Sequence, residues 1–241
     1  KNTGALGGVV YSAGGQPAAS SALAASFAAY VNSLGLKLEN GTALTTSNLR
    51  DATQALVKQE IERQIAKGTA VPQLGGSFVT SRATLPNDWL TLSGTGTGAT
   101  VSGFDYAKFV NYVAANQALK TVVAFDAVGV TGNPNVSGET NLFGSSAFQY
   151  SNFTDWTWTN NAIKGDGSGV DDTGMTWTQY LASPTNNLAT QIKLINPLAY
   201  LNTNADAAPY WYVRHGMVDR DTSFAMQTLL YYAIKGDASV K

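Results

Sequence analysis

The sequence predicts an α/β protein in which helices and loops far outnumber strands. Helical hydrophobic patterns and stretches rich in Gly, Asn and Ser fill most of the chain up to about residue 195. A strand-turn-helix unit is predicted only near the C-terminal end, in residues 209–236. Because sheets have roughly five to six strands on average, one strand cannot make a doubly wound sheet. Either the rest of the sheet lies outside these residues, or the α/β assignment is wrong.

Composition limits the kinds of partner that the chain can have. Its 241 residues are only 13% charged and carry a formal net charge of -1, so no basic surface for nucleic acid is expected. No cysteine is present, which excludes disulfides and thiolate chemistry. No apolar run approaches the roughly 20 residues that span a bilayer, so no membrane partner is expected. A surface rich in Ser, Thr, Asn and Gln favours a secreted or periplasmic protein.

The helices are predicted from apolar residues that recur every three or four positions. Gly35 and Gly68 end the first two, because glycine readily adopts the left-handed conformation that follows a helix. Pro184 separates two short helices farther along. The predicted helices span residues 21–34, 47–67, 105–119, 177–181 and 186–194.

Two stretches rich in glycine and polar residues are predicted to be loops. Residues 69–103 include Gly-Thr-Gly-Thr-Gly at 94–98, which lacks the Lys-Ser/Thr ending of a phosphate-binding loop. Residues 121–175 are mostly irregular, and such long loops inside a domain are often functional. Within them, 166–172 carries several Asp residues but not the alternating ligands and distal Glu of an EF-hand. No cofactor and no metal ion are therefore predicted.

The C-terminal unit begins with a strand predicted at residues 210–214, which are aromatic and β-branched. Apolar side chains on both of its faces are typical of a strand in the middle of a sheet. Gly216 ends this strand, and a helix is predicted at 222–234, capped by Asp221 or Thr222. The helix is apolar nearly all round, as buried helices are.

Asp219 lies between this strand and this helix, and two interpretations of it are open. The sites of open α/β sheets collect at the carboxyl ends of strands, and Gly-x-x-Asp in this place is how an α/β-hydrolase presents its catalytic acid. Alternatively, Asp219 only closes a turn and Asp221 only caps the helix.

A candidate nucleophile occurs near the start of the sequence. Ser12-Ala13-Gly14-Gly15 resembles a nucleophile elbow, in which Ser lies on a tight strand-to-helix turn. Position 10 is Val, so the full Gly-x-Ser-x-Gly form is absent. A flexible, glycine-rich lead-in is the simpler interpretation.

Residues 210–225, YWYVRHGMVDRDTSFA, resemble the bacterial tannase and feruloyl-esterase-like branch of the α/β-hydrolases. Four further segments resemble this family in the same order along the chain: FAAYVNSLGL (27–36), LKTVVAFDAVGV (119–130), ETNLFG (139–144) and INPLAYL (195–201). The resemblance implies an α/β-hydrolase core into which a large, mainly helical lid is inserted. It divides the chain into a lead-in segment (1–19), the lid (20–195) and part of the core (196–241).

The resemblance also implies which residues act on substrate. Asp219 corresponds to the acid of a Ser-His-Asp triad, which holds the catalytic His in the right tautomer. Lys120, Glu139 and Asp221 correspond to residues that bind the phenolic hydroxyls of a galloyl-type acyl group, since charged groups bind such hydroxyls strongly. Without the resemblance, Lys120 is a cation at a helix end, and Glu139 lies in solvent.

Two members of the triad are missing from the sequence. The family's Gly-Thr-Ser-x-Gly-Gly nucleophile motif is absent, and its catalytic His lies on a loop that would follow Lys241. His215 is the only histidine, and orienting the acid loop or simple packing explains it better than a role as triad base. The expected partners are the remaining segments of the same enzyme, which carry Ser and His, and a small phenolic ester substrate.

Two functions from different classes remain open. The first is part of a serine carboxylic-ester hydrolase for galloyl or hydroxycinnamoyl esters, to which this chain supplies the triad acid and the acyl-binding lid. The second is a secreted, non-catalytic module that binds phenolic or glycan ligands. The order of the family's motifs along the chain favours the hydrolase.

Overall fold

The computed structural model describes residues 17–116, 126, 138–143, 151–160, 173–184, 186–219 and 222–241. The chain divides into two units. As far as they are described, residues up to 120 and 208–241 form the first unit, and residues 121–207 form the second. Helices α1 to α7 occupy Pro17–Ser33, Leu49–Ala66, Tyr106–Asn116, Asp155–Thr159, Trp177–Leu181, Leu188–Ile195 and Phe224–Gly236.

The helices predicted from hydrophobic periodicity are confirmed, with ends that differ by a few residues. Gly35 and Gly68 follow α1 and α2 and have φ angles of 61° and 89°. This left-handed conformation costs glycine nothing, because glycine has no Cβ to clash with the backbone. The residues between 116 and 120, which the prediction assigned to α3, lie outside the described residues.

Residues 69–103, predicted as loop, contain two antiparallel hairpins instead. Strands β1 (Ser77–Val79) and β2 (Thr84–Pro86) form the first, and β3 (Leu90–Ser93) and β4 (Thr100–Phe104) form the second. The prediction was wrong here because three to five residues are too few for an alternating pattern to become visible.

Asn87 fixes the connection between the two hairpins. Its buried side chain donates to the carbonyls of Pro72 and Leu90, both at 2.9 Å, and accepts from the Leu90 N–H at 2.9 Å. A buried amide with these partners avoids the cost of an unpaired polar group. The connection therefore has a single well-determined geometry.

An aromatic core joins the hairpins to α3 and α7. The Trp89 ring is 2% exposed. Its centroid lies 4.9 to 5.5 Å from the rings of Phe78, Phe104, Phe109 and Tyr112. Phe109 in turn lies 5.4 Å from Phe224, the first residue of α7. Because such pairs add about 0.5–1.5 kcal/mol beyond the area that they bury, α7 is anchored at its N-terminal end.

Helix α7 also packs against α2. The hydroxyls of Thr53 and Thr228 are buried and lie 2.8 Å apart. The hydroxyl of Tyr231 donates to the Glu39 carboxylate at 2.8 Å. The opposite face of α7 is not covered by described residues, because Met226 is 53% exposed. The apolar pattern of this helix thus exceeds what the described residues bury.

The predicted cap of α7 is wrong. Ser223 is the N-cap, and its hydroxyl accepts from the Ala225 N–H at 3.2 Å. Ser223 fills the role predicted for Asp221 or Thr222 because the helix begins at Phe224, two residues later than expected. A serine hydroxyl is a suitable acceptor for the free N–H groups of a helix end.

The strand predicted at residues 210–214 is not a strand in this chain. These residues have no regular secondary structure, and the side chains of Tyr210 and Tyr212 are 73% and 79% exposed. Among the described residues, no strand pairs with them. A strand needs a neighbour to satisfy its backbone groups, so composition alone could not produce one here.

The second unit has its own aromatic core. Phe143, Trp158, Tyr180 and Leu188 are buried together. The rings of Trp158 and Tyr180 stack at 4.2 Å, and the Trp158 indole N–H donates to the Met175 carbonyl at 3.0 Å. Three short segments, 138–143, 151–160 and 175–188, are thereby held in one cluster.

None of the helices among the described residues is both long enough and apolar enough to cross a bilayer.

The boundaries of the lead-in, lid and core at residues 19 and 195 refer to a larger fold and stay predictions.

Candidate acid turn and phenol-binding residues

Asp219 ends a tight turn that follows the exposed segment 210–214. Its backbone N–H donates to the Gly216 carbonyl at 3.1 Å, and its Oδ1 accepts from the Thr222 N–H at 3.4 Å. A Cβ on Gly216 would lie 3.6 Å from the Asp219 Cβ, which is ordinary contact. The Asp219 side chain is half-buried. Asp219 is therefore hydrogen-bonded both to a residue before it, Gly216, and to a residue after it, Thr222.

His215 connects the two ends of this turn. Its Nε2 lies 3.1 Å from the Thr222 carbonyl oxygen. Because a carbonyl oxygen only accepts, Nε2 must carry the proton. The ring also packs at 4.7 Å on Phe224, which belongs to the core of the first unit. His215 thus ties the residues before Asp219 to the start of α7.

This arrangement agrees with the interpretation that His215 orients the acid loop. Its Nδ1 is buried and has no hydrogen-bond partner among the described residues. A triad base must reach both the nucleophile and the acid, whereas the Nε2 of this imidazole is already bound to a backbone carbonyl. The geometry therefore favours a structural role for His215.

Glu139 lies in a 3-10 helix, Gly138–Phe143, in the second unit. Its side chain is half-buried. The next residue, Thr140, is fully buried and accepts from the Ser151 N–H at 3.1 Å through its carbonyl. At the end of the same helix, the Phe143 ring stacks on Phe153 at 4.2 Å. The short helix that carries Glu139 is thus held by a hydrogen bond at Thr140 and by a ring contact at Phe143.

Three other candidate residues, Lys120, Asp221 and Ser12, lie outside the described residues. Of the four residues expected to act on substrate, only Asp219 and Glu139 have a described position, and they belong to different units. In the part of the chain that is described, no group of three or more His, Asp or Glu side chains could hold a metal ion.

Two features of the structure had no counterpart in the sequence analysis. One is a shallow groove of about 660 Å³ in the first unit, with Arg50, Trp89, Asp105 and Lys108 among its lining residues. Neither Asp219 nor Glu139 lines it. Its walls come from four segments that are distant in sequence, so no local motif could reveal it.

The second feature is the buried carboxylate of Asp126. This residue is fully buried, and its Oδ2 accepts from the N–H groups of Phe153 and Thr154, each at 2.7 Å, and from the Thr157 hydroxyl. Burial raises the pKa of the Asp126 carboxyl above its ordinary value, while the hydrogen bonds from Thr157, Phe153 and Thr154 act in the opposite direction. The signal missed in the sequence is an Asp within an apolar segment, because such a residue needs several donors.

Comparisons with known proteins found similarity to solved structures. No protein-family model matches the chain, and no curated protein matches it. A crystal structure of tannase from Lactobacillus plantarum matches with a TM-score of 0.62 and 28% identity over 92% of this chain. A tannin acyl hydrolase in complex with ethyl gallate and one in complex with 3,4-dihydroxybenzoate each match with a TM-score of 0.61 and 27% identity, over 92% of this chain.

These matches confirm the resemblance to the bacterial tannases, in both sequence and structure. They also fit the α/β class, although the described residues contain only helices and two small sheets. The chain spans 39% to 40% of the length of these tannase structures.

Proposed function

We propose that this chain is part of a serine carboxylic-ester hydrolase that acts on phenolic esters of the galloyl or hydroxycinnamoyl type. The observation that carries the proposal is the turn that presents Asp219, in a segment that resembles tannases. The structures similar to this chain include a complex with ethyl gallate, which is a phenolic ester, and one with 3,4-dihydroxybenzoate, which is a phenolic acid.

In the proposed mechanism, Asp219 is the acid of the triad. It accepts a hydrogen bond from the catalytic His, fixes the tautomer of that His and stabilises its charged form. The His removes the proton from a Ser hydroxyl as this oxygen attacks the ester carbonyl, and returns it to the leaving alcohol. Backbone N–H groups stabilise the negative oxygen of the tetrahedral intermediate. Water then releases the acid by the same steps.

The Ser and the His are proposed to lie on other segments of the same enzyme. His215 is the only histidine of the chain, and its Nε2 is bound to the Thr222 carbonyl. The exposed segment 210–214 supports this proposal, because its aromatic side chains would be covered and its backbone groups paired by further strands. In this proposal, residues 20–195 form the lid and residues 196–241 return to the core of a secreted or periplasmic enzyme.

Lys120, Glu139 and Asp221 are proposed to bind the hydroxyls of the phenolic ring. A carboxylate accepts from a phenolic O–H, and an ammonium donates to its oxygen, so the three charges would together select hydroxylated rings. Such charge-assisted hydrogen bonds are about twice as strong as neutral ones. A secreted, non-catalytic binding module is not favoured, because the similar solved structures reported above are acyl hydrolases.

Hydrolysis of methyl gallate and methyl ferulate tests the proposal. Residues 1–241 alone are expected to hydrolyse neither ester, whereas the enzyme that also contains the Ser and His segments is expected to hydrolyse at least one. Turnover by residues 1–241 alone that Ser12→Ala abolishes would make Ser12 the nucleophile and contradict the proposed division. No hydrolysis by the enzyme with all of its segments would contradict the proposed function itself.

A further inference from the structure

The Asp126 carboxylate organises the segment 151–157. Three donors converge on its Oδ2, and the Thr154 hydroxyl donates to Oδ1 at 3.2 Å. In addition, the Asn152 side-chain amide donates to the Asp126 backbone carbonyl. A fully buried carboxylate is costly unless it is surrounded by donors. Asp126 thus binds the backbone N–H groups of Phe153 and Thr154 directly, and its carbonyl binds the side chain of Asn152.

This segment in turn holds the short helix that carries Glu139. The N–H of Ser151 donates to the Thr140 carbonyl at 3.1 Å. The ring of Phe153, whose N–H is bound by Asp126, stacks on Phe143 at 4.2 Å with an interplanar angle of 29°. One contact lies directly beside Glu139 and the other at the end of its helix. The two contacts are made by Ser151 and Phe153. Ser151 precedes Asn152, whose side chain binds the Asp126 carbonyl, and Phe153 donates its own N–H to the Asp126 carboxylate.

We infer that Asp126 is a positioning residue for Glu139, and that it thereby contributes to selectivity for hydroxylated acyl rings. The inference rests on the proposed function, because it takes Glu139 to contact the phenolic hydroxyls. Asp126 itself is fully buried and is therefore not proposed to contact the substrate. Its effect passes through the backbone of 151–154 to the helix Gly138–Phe143.

A role in stability alone would have different consequences. If Asp126 only stabilised the second unit, its loss would lower activity on all esters to the same extent. A positioning role predicts a selective loss on rings whose hydroxyls Glu139 would bind. Thr203→Ala is a matched control, because the exposed Thr203 hydroxyl holds a turn of the same unit, donating to the Tyr200 carbonyl and accepting from the Ala205 N–H, and none of these residues belongs to the cluster around Trp158.

The test compares Asp126→Ala and Asp126→Asn with Thr203→Ala in the enzyme with all of its segments. Asparagine keeps an acceptor oxygen that can face the three donors at Oδ2 but lacks the charge, whereas alanine removes every acceptor. For Asp126→Ala, kcat/KM on methyl gallate is expected to fall about 10-fold or more, the size of one lost charge-assisted hydrogen bond. Asp126→Asn is expected to restore part of this loss, and methyl benzoate is expected to change little.

Hydrogen exchange provides the second measurement. The amides of 138–143 are expected to exchange faster in Asp126→Asn, and faster still in Asp126→Ala, but to be unchanged in Thr203→Ala. If Asp126→Ala does not fold, the exchange rates of Asp126→Asn decide the question. Unchanged exchange at 138–143 in Asp126→Asn overturns the inference, whatever the enzyme does with gallate.

The two proposals fail in different ways. A wild-type enzyme that does not hydrolyse gallate or ferulate esters removes the proposed function and the selectivity with it, while faster exchange in the Asp126 variants would still support the structural link to Glu139. A wild-type enzyme that prefers gallate, combined with equal losses on gallate and benzoate in the Asp126 variants, overturns the positioning role alone.

Discussion

The Asp219 carboxylate can serve a triad only if the turn that carries it keeps one conformation. Three contacts within eight residues meet this need: the Asp219 N–H to Gly216, the Thr222 N–H to Asp219, and the His215 ring to the Thr222 carbonyl. The sequence indicated Asp219 through a local motif, and it favoured orientation of the acid loop or simple packing for His215 over a role as triad base. The structure adds the contact between His215 and the Thr222 carbonyl, which no local motif could show because the two residues are seven positions apart.

Glu139 is expected to determine preference for hydroxylated rings. Glu139→Gln should lower kcat/KM for methyl gallate by about 10- to 150-fold, the range for a lost charge-assisted hydrogen bond of roughly 1.5–3 kcal/mol. Methyl benzoate, which has no ring hydroxyl, should be affected much less. Asp155→Asn, an exposed carboxylate in the same unit, is the matched control. Equal losses on both esters would show that Glu139 is structural.

Tyr231 is expected to ionise at unusually high pH. Burial, and then its hydrogen bond to Glu39, raise the pKa of Tyr231 to about 12, from an ordinary value of about 10. A raised pKa favours the protonated form in the folded state, so this contribution to stability is complete below about pH 10 and is lost as the pH rises through about 12.

Ultraviolet titration of the phenolate signal checks this. Glu39→Gln should lower the pKa of Tyr231, because it removes the charge that opposes ionisation, but burial should keep this pKa above its ordinary value. Glu60→Gln, whose carboxylate pairs with Arg63 instead, should leave the titration unchanged. If both variants titrate like the wild type, the Tyr231–Glu39 hydrogen bond does not form.

At the scale of elements, the helices other than α4 could be predicted, whereas α4, in the stretch 121–175 predicted to be mostly irregular, and the strands could not. The helix α2 satisfies its backbone groups internally and shows a four-residue apolar repeat, so its sequence contains most of the information about it. The strands β1 to β4 depend on partners and bulges outside any short window. Residues 210–214 have the composition of a buried strand but are exposed and have no regular secondary structure here, because strand pairing depends on neighbouring strands as well as on the segment itself.

The contact between α2 and α7 provides a test at this scale. Thr53→Val and Thr228→Val should each destabilise the chain by about 1 kcal/mol, because a buried hydroxyl contact is lost. The double variant should cost about 0.5–1 kcal/mol less than the sum, since both substitutions remove the same contact. Denaturant unfolding measures all three values, with the exposed Thr69→Val as control. Strict additivity would mean that the two hydroxyls do not interact.

At the scale of the whole molecule, each unit has an aromatic core of its own, around Trp89 in the first and around Trp158 in the second. In the first unit, the core continues from Trp89 through Phe109 to Phe224, whereas Tyr210 and Tyr212 of the same unit are largely exposed. The apolar character of 210–214 predicted a strand inside a sheet, whereas no strand pairs with these residues in the part of the chain that is described. The expectation that other segments cover them stays a prediction. The sequence could not reveal the hydrogen-bond donors around Asp126, because these donors lie 26 to 31 positions away from it along the chain.

The turnover number of Asp219→Asn tests most directly whether Asp219 is the acid of a Ser-His-Asp triad. In the enzyme with all of its segments, this variant should keep the wild-type circular dichroism spectrum and lose about 10⁴-fold in kcat on methyl gallate, the effect of removing the acid from a Ser-His-Asp triad. Asp206→Asn, an exposed aspartate in the second unit, should have wild-type activity. A near-normal kcat for Asp219→Asn would contradict the account, because Asp219 would then only close a turn.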